Sequence, residues 1–166
     1  MENKQKVIHP IPPLYDEDSK ILILGSFPSV KSREAHFYYG HPQNRFWKVL
    51  ASILDENIPE TIDEKREMLY RHKIALWDVI AECRIKGSSD ASIEDVKIND
   101  LDRILKKADI RQIYVNGQTA GKMYERYAKE KFKRDIIILP STSPANAAYS
   151  LDRLINDWNR IMDQLR

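Results

Sequence analysis

Four short runs of apolar residues punctuate the chain and predict the strands of a buried sheet. They occupy residues 21–24, 74–77, 113–115 and 136–139. Each run is continuously apolar instead of alternating with polar residues. This pattern is typical of strands in a parallel sheet that is covered on both faces.

Segments with apolar residues at helical spacing lie between and after these runs. Four of them begin at a residue type that often caps a helix. The predicted caps are Asn44, Thr61, Asp100 and Thr119. Thr61 also forms a capping-box pattern with Glu64. The chain closes with apolar residues spaced to form one amphipathic helix over residues 151–165.

Strands that alternate with helices predict an α/β fold, a three-layer sandwich around a mostly parallel four-stranded central sheet. The 166 residues suit a single domain, and the proline-containing residues 1–19 are interpreted as an extended N-terminal lead-in. Ligands of such sheets bind at the carboxyl ends of the strands. Functional residues are therefore expected directly after Leu24, Trp77, Val115 and Leu139.

Composition narrows the function classes without choosing among them. Hydrophobic residues make up 42% and charged residues 31%, and the net charge of +2 permits nucleic-acid binding without arguing for it. No apolar run has transmembrane length, and the N-terminus has no signal-peptide pattern. Cys83 is the single cysteine and the histidines are scattered, so no zinc spacing is present. We expect a cytoplasmic protein without a metal or other cofactor.

The segment 36–47, which follows the first apolar run, combines aromatic and polar residues. Phe37, Tyr38 and Tyr39 directly precede a Gly-His-Pro turn and a helix start, so we expect at least one ring to face the ligand cleft. A planar ring beside an amide and an imidazole can stack on a nucleobase and read its edge. For each single ring, packing in the core is an equally good interpretation.

A second loop, residues 140–148, follows the fourth apolar run. It reads Pro-Ser-Thr-Ser-Pro-Ala-Asn-Ala-Ala. Hydroxyl and backbone N–H groups in such a loop can bind DNA phosphates. Taken alone, the loop is better explained as a simple connection between a strand and a helix.

Together, the two loops resemble the paired motifs of the uracil-DNA glycosylase superfamily. Residues 41–48, His-Pro-Gln-Asn-Arg-Phe-Trp-Lys, are similar to a segment of the mismatch-specific uracil/thymine glycosylases. Phe27 stands where those enzymes carry a catalytic asparagine, and Ser141 stands where their second motif opens with asparagine. These departures weaken a direct transfer of the uracil/thymine mechanism.

Both departures fit a sister branch, the hypoxanthine-DNA (deoxyinosine) glycosylases. That branch is marked by Gly-Ser-Phe-Pro-Ser, by Tyr-Gly-His-Pro-x-Asn-x-Phe-Trp and by Ser-Thr-Ser-Pro-Ala-Asn. This chain has the three motifs at residues 25–29, 39–47 and 141–146. The resemblance covers nearly the whole chain from about residue 20 onward, since the order of strands and helices also agrees.

The resemblance implies roles for Asn44, Tyr39 and the second loop, and position beside the cleft suggests roles for His41 and Asn116. Asn44 is the implied catalytic residue and would place or polarise a water, although it could also simply cap its helix. The residues predicted to bind the base are Phe27, Tyr39, His41 and Asn116. His41 could instead fix its turn, and Asn116 could belong to a simple Asn-Gly turn.

Residues of the second loop are predicted to contact DNA. They are Ser141, Thr142, Ser143, Ala145 and Asn146. Ala145 stands where relatives carry a residue that wedges into the duplex, and alanine is a poor wedge. Asp78 and Asp90 fall near the same edge of the sheet, but the sequence assigns them no role.

The predicted function is hydrolysis of the N-glycosidic bond of a deaminated base flipped out of DNA, either hypoxanthine or uracil. The expected partner is DNA that contains such a base, and the protein is expected to be a monomer that does not bind membranes. Three alternatives stay open: a uracil-directed glycosylase of the same fold, a DNA-binding module without catalysis, and a nucleoside or nucleotide hydrolase.

Overall fold

The computed structural model describes residues 4–166, so residues 1–3 of the predicted lead-in lie outside the described residues. The strands are β1 (Gln5–Ile8), β2 (Ile21–Gly25), β3 (Ile74–Asp78), β4 (Ile80–Ile85), β5 (Glu94–Ile98), β6 (Gln112–Asn116) and β7 (Ile136–Leu139). The α-helices are α1 (Val30–Ala35), α2 (Phe46–Ile53), α3 (Ile62–Arg71), α4 (Asp102–Leu105), α5 (Gln118–Met123), α6 (Lys129–Phe132), α7 (Leu151–Trp158) and α8 (Met162–Leu165). Within residues 4–166, no helix has both the length and the apolar character needed to cross a membrane.

Among the described residues, the central sheet has four parallel strands in the order β3-β2-β6-β7. Each strand contains one of the four apolar runs, so the predicted α/β class and parallel sheet are confirmed. Every residue of β2 and β3 is buried, as is typical of a parallel sheet covered on both faces, and α3 packs against β3 while α5 packs against β6 and β7. The carboxyl ends of all four strands lie at one edge, where Gly25 pairs with Asp78 and Asn116 pairs with Leu139.

A second, antiparallel sheet was not predicted. Its strand order is β1-β4-β5, and β1 lies within the residues interpreted as a lead-in. β5 has the sequence Glu-Asp-Val-Lys-Ile with alternating burial, so its few apolar residues gave no continuous signal. β4 begins two residues after β3 ends, and the intervening Val79 donates its backbone N–H to the Gly25 carbonyl at 2.8 Å. The second sheet is therefore attached directly beside the carboxyl end of β2.

Helix starts follow the predicted capping residue in one of the three cases outside the site, where the Thr61 hydroxyl accepts the backbone N–H of Glu64 at 3.1 Å. The prediction for Asp100 was wrong by one residue: α4 begins at Asp102 with Leu101 at its N-cap, although an Asp100 carboxylate oxygen accepts the Asp102 backbone N–H at 3.2 Å. The prediction for Thr119 was wrong, because α5 already begins at Gln118. Gly117 precedes it with φ 96°, a conformation that favours glycine and turns the chain sharply after β6.

The predicted C-terminal helix over residues 151–165 is divided into three short segments. A 3₁₀ turn, Asn159–Ile161, separates α7 from α8. At the end of α7, the buried Trp158 packs edge-on against Phe46, with ring centroids 5.8 Å apart. Its indole Nε1 donates a hydrogen bond to the Pro140 carbonyl at 2.8 Å. The C-terminal segment therefore supports the loop that follows β7.

We expect Trp158→Phe to destabilise the fold more than Trp77→Phe. Both indoles are buried, but the Trp77 Nε1 has no hydrogen-bond partner in the described part of the chain, whereas the Trp158 Nε1 bonds to Pro140. Both substitutions shrink the ring, but only Trp158→Phe removes a hydrogen bond and leaves the Pro140 carbonyl without its donor. We therefore expect the loss of unfolding free energy to differ between the two variants by about 1–3 kcal/mol. Urea unfolding of the two variants measures it, and equal losses would contradict the expectation.

Candidate active site

A cavity of about 310 Å³ opens at the carboxyl edge of the central sheet. Each strand contributes to its lining: Gly25 ends β2, Asp78 ends β3, Asn116 ends β6, and residues 141–145 follow β7. This is the edge that parallel α/β sheets use for ligand binding. The volume lies at the small end of the range for ligand pockets, about 300–1,000 Å³.

Of the three consecutive aromatic residues, Phe37 and Tyr38 are packed in the core, Tyr38 at its border with the cavity, and Tyr39 is a partly exposed cavity residue. Phe37 and Tyr38 are buried, and the Tyr38 hydroxyl donates to the Pro12 carbonyl at 2.9 Å. Tyr39 has a left-handed backbone with φ 53°, which turns its side chain into the cavity lining. One face of its ring stacks on Phe46, with centroids 4.0 Å apart and planes inclined by 16°. The expectation that at least one ring faces the cleft is met by Tyr39.

The Asn44 side chain is held by two donors. Its Oδ1 accepts the backbone N–H of Phe46, the first residue of α2, at 2.9 Å and the Thr142 hydroxyl at 2.8 Å. These bonds use both lone pairs of the carbonyl oxygen. Asn44 lines the cavity, and its Nδ2 bonds to no residue of the described chain. The amide N–H groups are therefore the part of Asn44 that is available to a ligand.

Thr142 connects the two motif loops and is fully buried. Besides donating to Asn44, its hydroxyl accepts from the Asn116 Nδ2 at 3.0 Å, and its backbone N–H donates to the Asn116 Oδ1 at 3.0 Å. A buried side chain offers no atom to a DNA phosphate, which corrects the predicted DNA contact for Thr142. The residue instead fixes the positions of both cavity amides.

Arg45 holds the second loop against the first, a role that sequence reasoning missed. Its Nη2 donates to the carbonyls of Ser143 at 3.0 Å and Asn146 at 3.1 Å, and its Nη1 donates to that of Tyr149. Its backbone N–H also donates to the Thr142 carbonyl at 3.1 Å. The only sequence signal was the position of Arg45 directly after Asn44 in the first motif.

Side chains of the second loop largely shape the loop itself. The Ser141 Oγ accepts the backbone N–H of Ser143 at 3.1 Å, and the Ser143 Oγ accepts that of Ala145 at 3.1 Å. The Asn146 Nδ2 donates to the Ser141 carbonyl at 3.0 Å. The two serine hydroxyls still have their own hydrogens to donate. Ala145 is exposed at the tip, between the cavity and a neighbouring groove of about 840 Å³.

His41 and Phe27 also belong to the cavity lining. The His41 Nδ1 accepts the backbone N–H of Gln43 at 3.1 Å, so the turn is fixed and the Nε2 carries the ring proton. Phe27 is nearly buried and meets the His9 ring edge-on at 5.8 Å. The turn role that the sequence left open for His41 is therefore observed, and donation from its Nε2 to a base stays a prediction.

Two carboxylates among the described residues line the cavity as well. Asp78 is buried at the end of β3, and its Oδ2 lies 2.7 Å from the Nε2 of His9, a partner 69 residues away that no sequence pattern indicated. Asp90 lies at the exposed mouth, where its carboxylate accepts the Ser26 hydroxyl at 3.3 Å. Desolvation by the cavity walls raises the pKa of Asp90 above its usual value, and the nearby Asp78 adds to the shift.

The Tyr39 hydroxyl is buried and has no hydrogen-bond partner among residues 4–166. Burial raises the pKa of Tyr39 far above its usual value, and the Asp78 carboxylate raises it further, so the phenol stays protonated. The neighbouring Asn116 amide lowers the pKa of Tyr39, although it does not form a hydrogen bond of normal geometry with the hydroxyl. A donor without a partner in the described chain therefore lies in the cavity wall beside an anionic group.

Comparison with known proteins places this fold and site in one family. Residues 12–164 match the model of the Uracil DNA glycosylase superfamily, and the chain belongs to that superfamily. It is 39% identical to the hypoxanthine DNA glycosylase of Methanosarcina barkeri over 81% of this chain and 85% of the relative. It is 36% identical to the Methanosarcina acetivorans protein of the same name over 90% of this chain and 94% of the relative.

A solved structure agrees with the assignment. The solution NMR structure of a candidate uracil DNA glycosylase from Methanosarcina acetivorans superposes with a TM-score of 0.78 and 35% sequence identity. The match covers 96% of this chain and 99% of that chain. The overall fold described above is therefore shared with a solved structure over nearly the whole length of both chains.

We expect Gly25→Ala to be destabilising and Gly40→Ala to be tolerated. A Cβ on Gly25 would lie 2.4 Å from the Asp78 Oδ1 and 3.2 Å from the Tyr39 hydroxyl oxygen, so the carboxylate would have to move. A Cβ on Gly40 would have its nearest contact at 3.4 Å, from the Ser32 Cα. The expected cost at Gly25 is about 1–3 kcal/mol in urea unfolding. A Gly25 variant as stable as the Gly40 variant would show that the cavity wall yields easily.

Proposed function

We propose that this chain is a DNA glycosylase that hydrolyses the N-glycosidic bond of a deaminated base, hypoxanthine foremost, after that nucleotide has been flipped out of DNA. The observation that carries the proposal is the Asn44 amide, whose oxygen is fixed by two donors and which lines the same cavity as the Tyr39 ring. The names of the two Methanosarcina relatives support hypoxanthine as the base.

The reaction needs little covalent chemistry from the protein. The bond from C1′ to the base nitrogen breaks, its electron pair leaves with the base, and a water adds hydroxyl to C1′ and supplies a proton. The sugar gains positive charge and the base gains negative charge in the transition state. Donors aimed at the base and anions near the sugar therefore lower the barrier. In this proposal the exposed Asp90 carboxylate at the cavity mouth is the anion on the sugar side.

Asn44 acts on the departing base in this proposal. The sequence suggested that its side-chain carbonyl places a water, but that oxygen already accepts two hydrogen bonds. The amide Nδ2 instead donates to the base as negative charge develops there. The water then needs only to be placed, because bond breakage and not proton removal limits its attack.

The remaining cavity residues bind the base. Tyr39 stacks on the base with the ring face opposite to the one that packs on Phe46. The His41 Nε2 and the second hydrogen of the Asn116 Nδ2 are donors for acceptor atoms on the purine edge. Phe27 closes the apolar side of the cavity beside the His9 ring.

DNA is the partner in this proposal, and the second loop is its contact surface. The neighbouring groove is lined by Ser141, Ser143 and Asn146. Their hydroxyl and amide groups can donate hydrogen bonds to the phosphates of a DNA backbone that runs along the groove. Ala145 at the tip adds little bulk for wedging, so extrusion relies on weakly paired lesions. One chain supplies all of these residues, and we propose that the enzyme acts as a monomer in the cytoplasm.

The first test is single-turnover cleavage of labelled duplexes that carry one deoxyinosine, uracil or xanthine, with alkali to reveal abasic sites. Release of hypoxanthine is the expected result. Release of uracil alone would support glycosylase activity but overturn the proposal that hypoxanthine is the preferred base. No release from any duplex or single strand would overturn the proposal in favour of a binding module or a nucleotide hydrolase.

Asn44→Ala is expected to abolish base release while DNA binding stays nearly intact. Asn44→Asp is the matched variant, because it keeps an oxygen for Phe46 and Thr142 but replaces the amide N–H groups. We expect both variants to be inactive in single-turnover assays on deoxyinosine duplexes. An active Asn44→Asp enzyme would show that the carbonyl oxygen, not the nitrogen, does the chemistry.

Thr142→Val is expected to slow base release at least tenfold, whereas Thr142→Ser is expected to retain most activity. Valine has nearly the shape of threonine but lacks the hydroxyl that bonds to Asn44 and Asn116. A loss on the order of 1.4 kcal/mol of transition-state stabilisation corresponds to a tenfold change in rate. Single-turnover rates of the two variants on the same duplex provide the comparison, and equal rates would contradict the role given to the hydroxyl.

A further inference from the structure

Asp78 is a buried carboxylate with a single hydrogen-bond donor in the described chain. Its side chain is 5% exposed, and the one donor among residues 4–166 is the His9 Nε2, at 2.7 Å from Oδ2. The His9 Nδ1 accepts the backbone N–H of Ile11 at 3.2 Å, so the ring proton is on Nε2 and the imidazole is neutral. His9 therefore orients the carboxylate without neutralising it.

Most of the hydrogen-bonding capacity of this carboxylate is unused by the described chain. A carboxylate can accept about four hydrogen bonds, and His9 supplies one, to Oδ2. The second oxygen, Oδ1, belongs to a residue of the cavity lining and lies against Gly25, whose missing side chain makes room for it.

The groups around Oδ1 show where it lies in the cavity wall. Oδ1 and the Tyr39 hydroxyl oxygen both lie close to the point where a Gly25 Cβ would be, at 2.4 and 3.2 Å. β3, which carries Asp78, and β6, which carries Asn116, both pair with β2. At the end of β2, the Asp78 carboxylate therefore lies on one side of the cavity and the Asn116 amide lies on the other.

Deamination changes one ring atom in a way that this pair of groups can detect. Adenine N1 is an acceptor, whereas hypoxanthine N1 carries a hydrogen and stands beside the O6 acceptor. The same change converts cytosine N3 into the N–H of uracil. A carboxylate oxygen attracts an N–H group and repels a lone pair, and sites that hydrogen-bond a substrate N–H reject analogues without it strongly.

We propose that the Asp78 Oδ1 accepts the ring N–H that deamination creates, and so distinguishes deaminated bases from adenine and cytosine. This inference rests on the proposed glycosylase function. The Asn116 amide donates to the neighbouring carbonyl oxygen of the base with the hydrogen that Thr142 does not use. His9 is a positioning residue, since it turns Oδ2 away and leaves Oδ1 for the base.

Asp78→Asn tests the proposal with almost no change of shape. The His9 N–H requires an acceptor, so the asparagine oxygen is held toward His9 and its NH₂ replaces Oδ1. An acceptor in the cavity wall thus becomes a donor. We expect the preference for inosine over adenosine, measured as the ratio of dissociation constants for duplexes with uncleavable 2′-fluoroarabino analogues, to fall at least tenfold. An unchanged ratio would overturn the proposal.

Two control variants separate a contact with the base from an effect of net charge or of the Tyr39 hydroxyl. Asp90→Asn removes a charge from the same cavity, and an equal fall in its ratio would show that Asp78 acts only through net charge. Tyr39→Phe removes the unpaired hydroxyl, and an equal fall there would show that Asp78 acts on Tyr39 instead of the base. We expect the fall to be specific to Asp78→Asn.

A measurement on the unaltered protein guards against a variant that does not fold. A 1-methylinosine analogue has a methyl group in place of the N1 hydrogen, and we expect it to bind at least tenfold more weakly than inosine. Equal binding would overturn the proposal without any variant. The two hypotheses fail separately: hypoxanthine release with equal analogue binding removes only the role of Asp78, whereas absence of release removes the glycosylase function itself.

Discussion

The Thr142 hydroxyl, buried between Asn44 and Asn116, is the interaction on which the site depends. Asn44 precedes α2 and Asn116 ends β6, so no local rule of helix or sheet geometry fixes their separation. The Thr142 hydroxyl fixes this separation, because it donates to the Asn44 side chain and accepts from the Asn116 side chain. Arg45 reinforces it by binding three carbonyls of the same loop. The same few hydrogen bonds between the two loops therefore hold the loops together and position the cavity amides.

The polar groups left without partners are as informative as those that are paired. In the part of the chain that the structure describes, nothing bonds to the Tyr39 hydroxyl, and it lies with the Asp78 Oδ1 in one wall of the cavity, beside the bare backbone of Gly25. Buried polar groups are nearly always satisfied in folded proteins, and exceptions need a physical reason. The Tyr39 hydroxyl is such an exception, and it lies in the wall of the cavity to which we assign the base.

The sequence predicted the central sheet because its strands are covered on both faces and so read as unbroken apolar runs. The second sheet escaped prediction because strands such as β5 are half exposed and rich in charge. The motif loops could be recognised from residue order, and Asn44 with them. The partnership of His9 with Asp78 could not, because it joins residues 69 apart through the fold. Nor could any pattern show which end of the Asn44 amide is free.

That free end carries a further consequence. Hydrogen bonds to an amide oxygen draw electrons toward it, strengthen the double-bond character of the C–N bond and leave the nitrogen more electron-poor. The two donors on the Asn44 oxygen therefore make its NH₂ group flatter, stiffer and more acidic than that of a solvated asparagine. The scaffold polarises this amide before any ligand arrives, and so tunes a neutral side chain toward the behaviour of a weak acid.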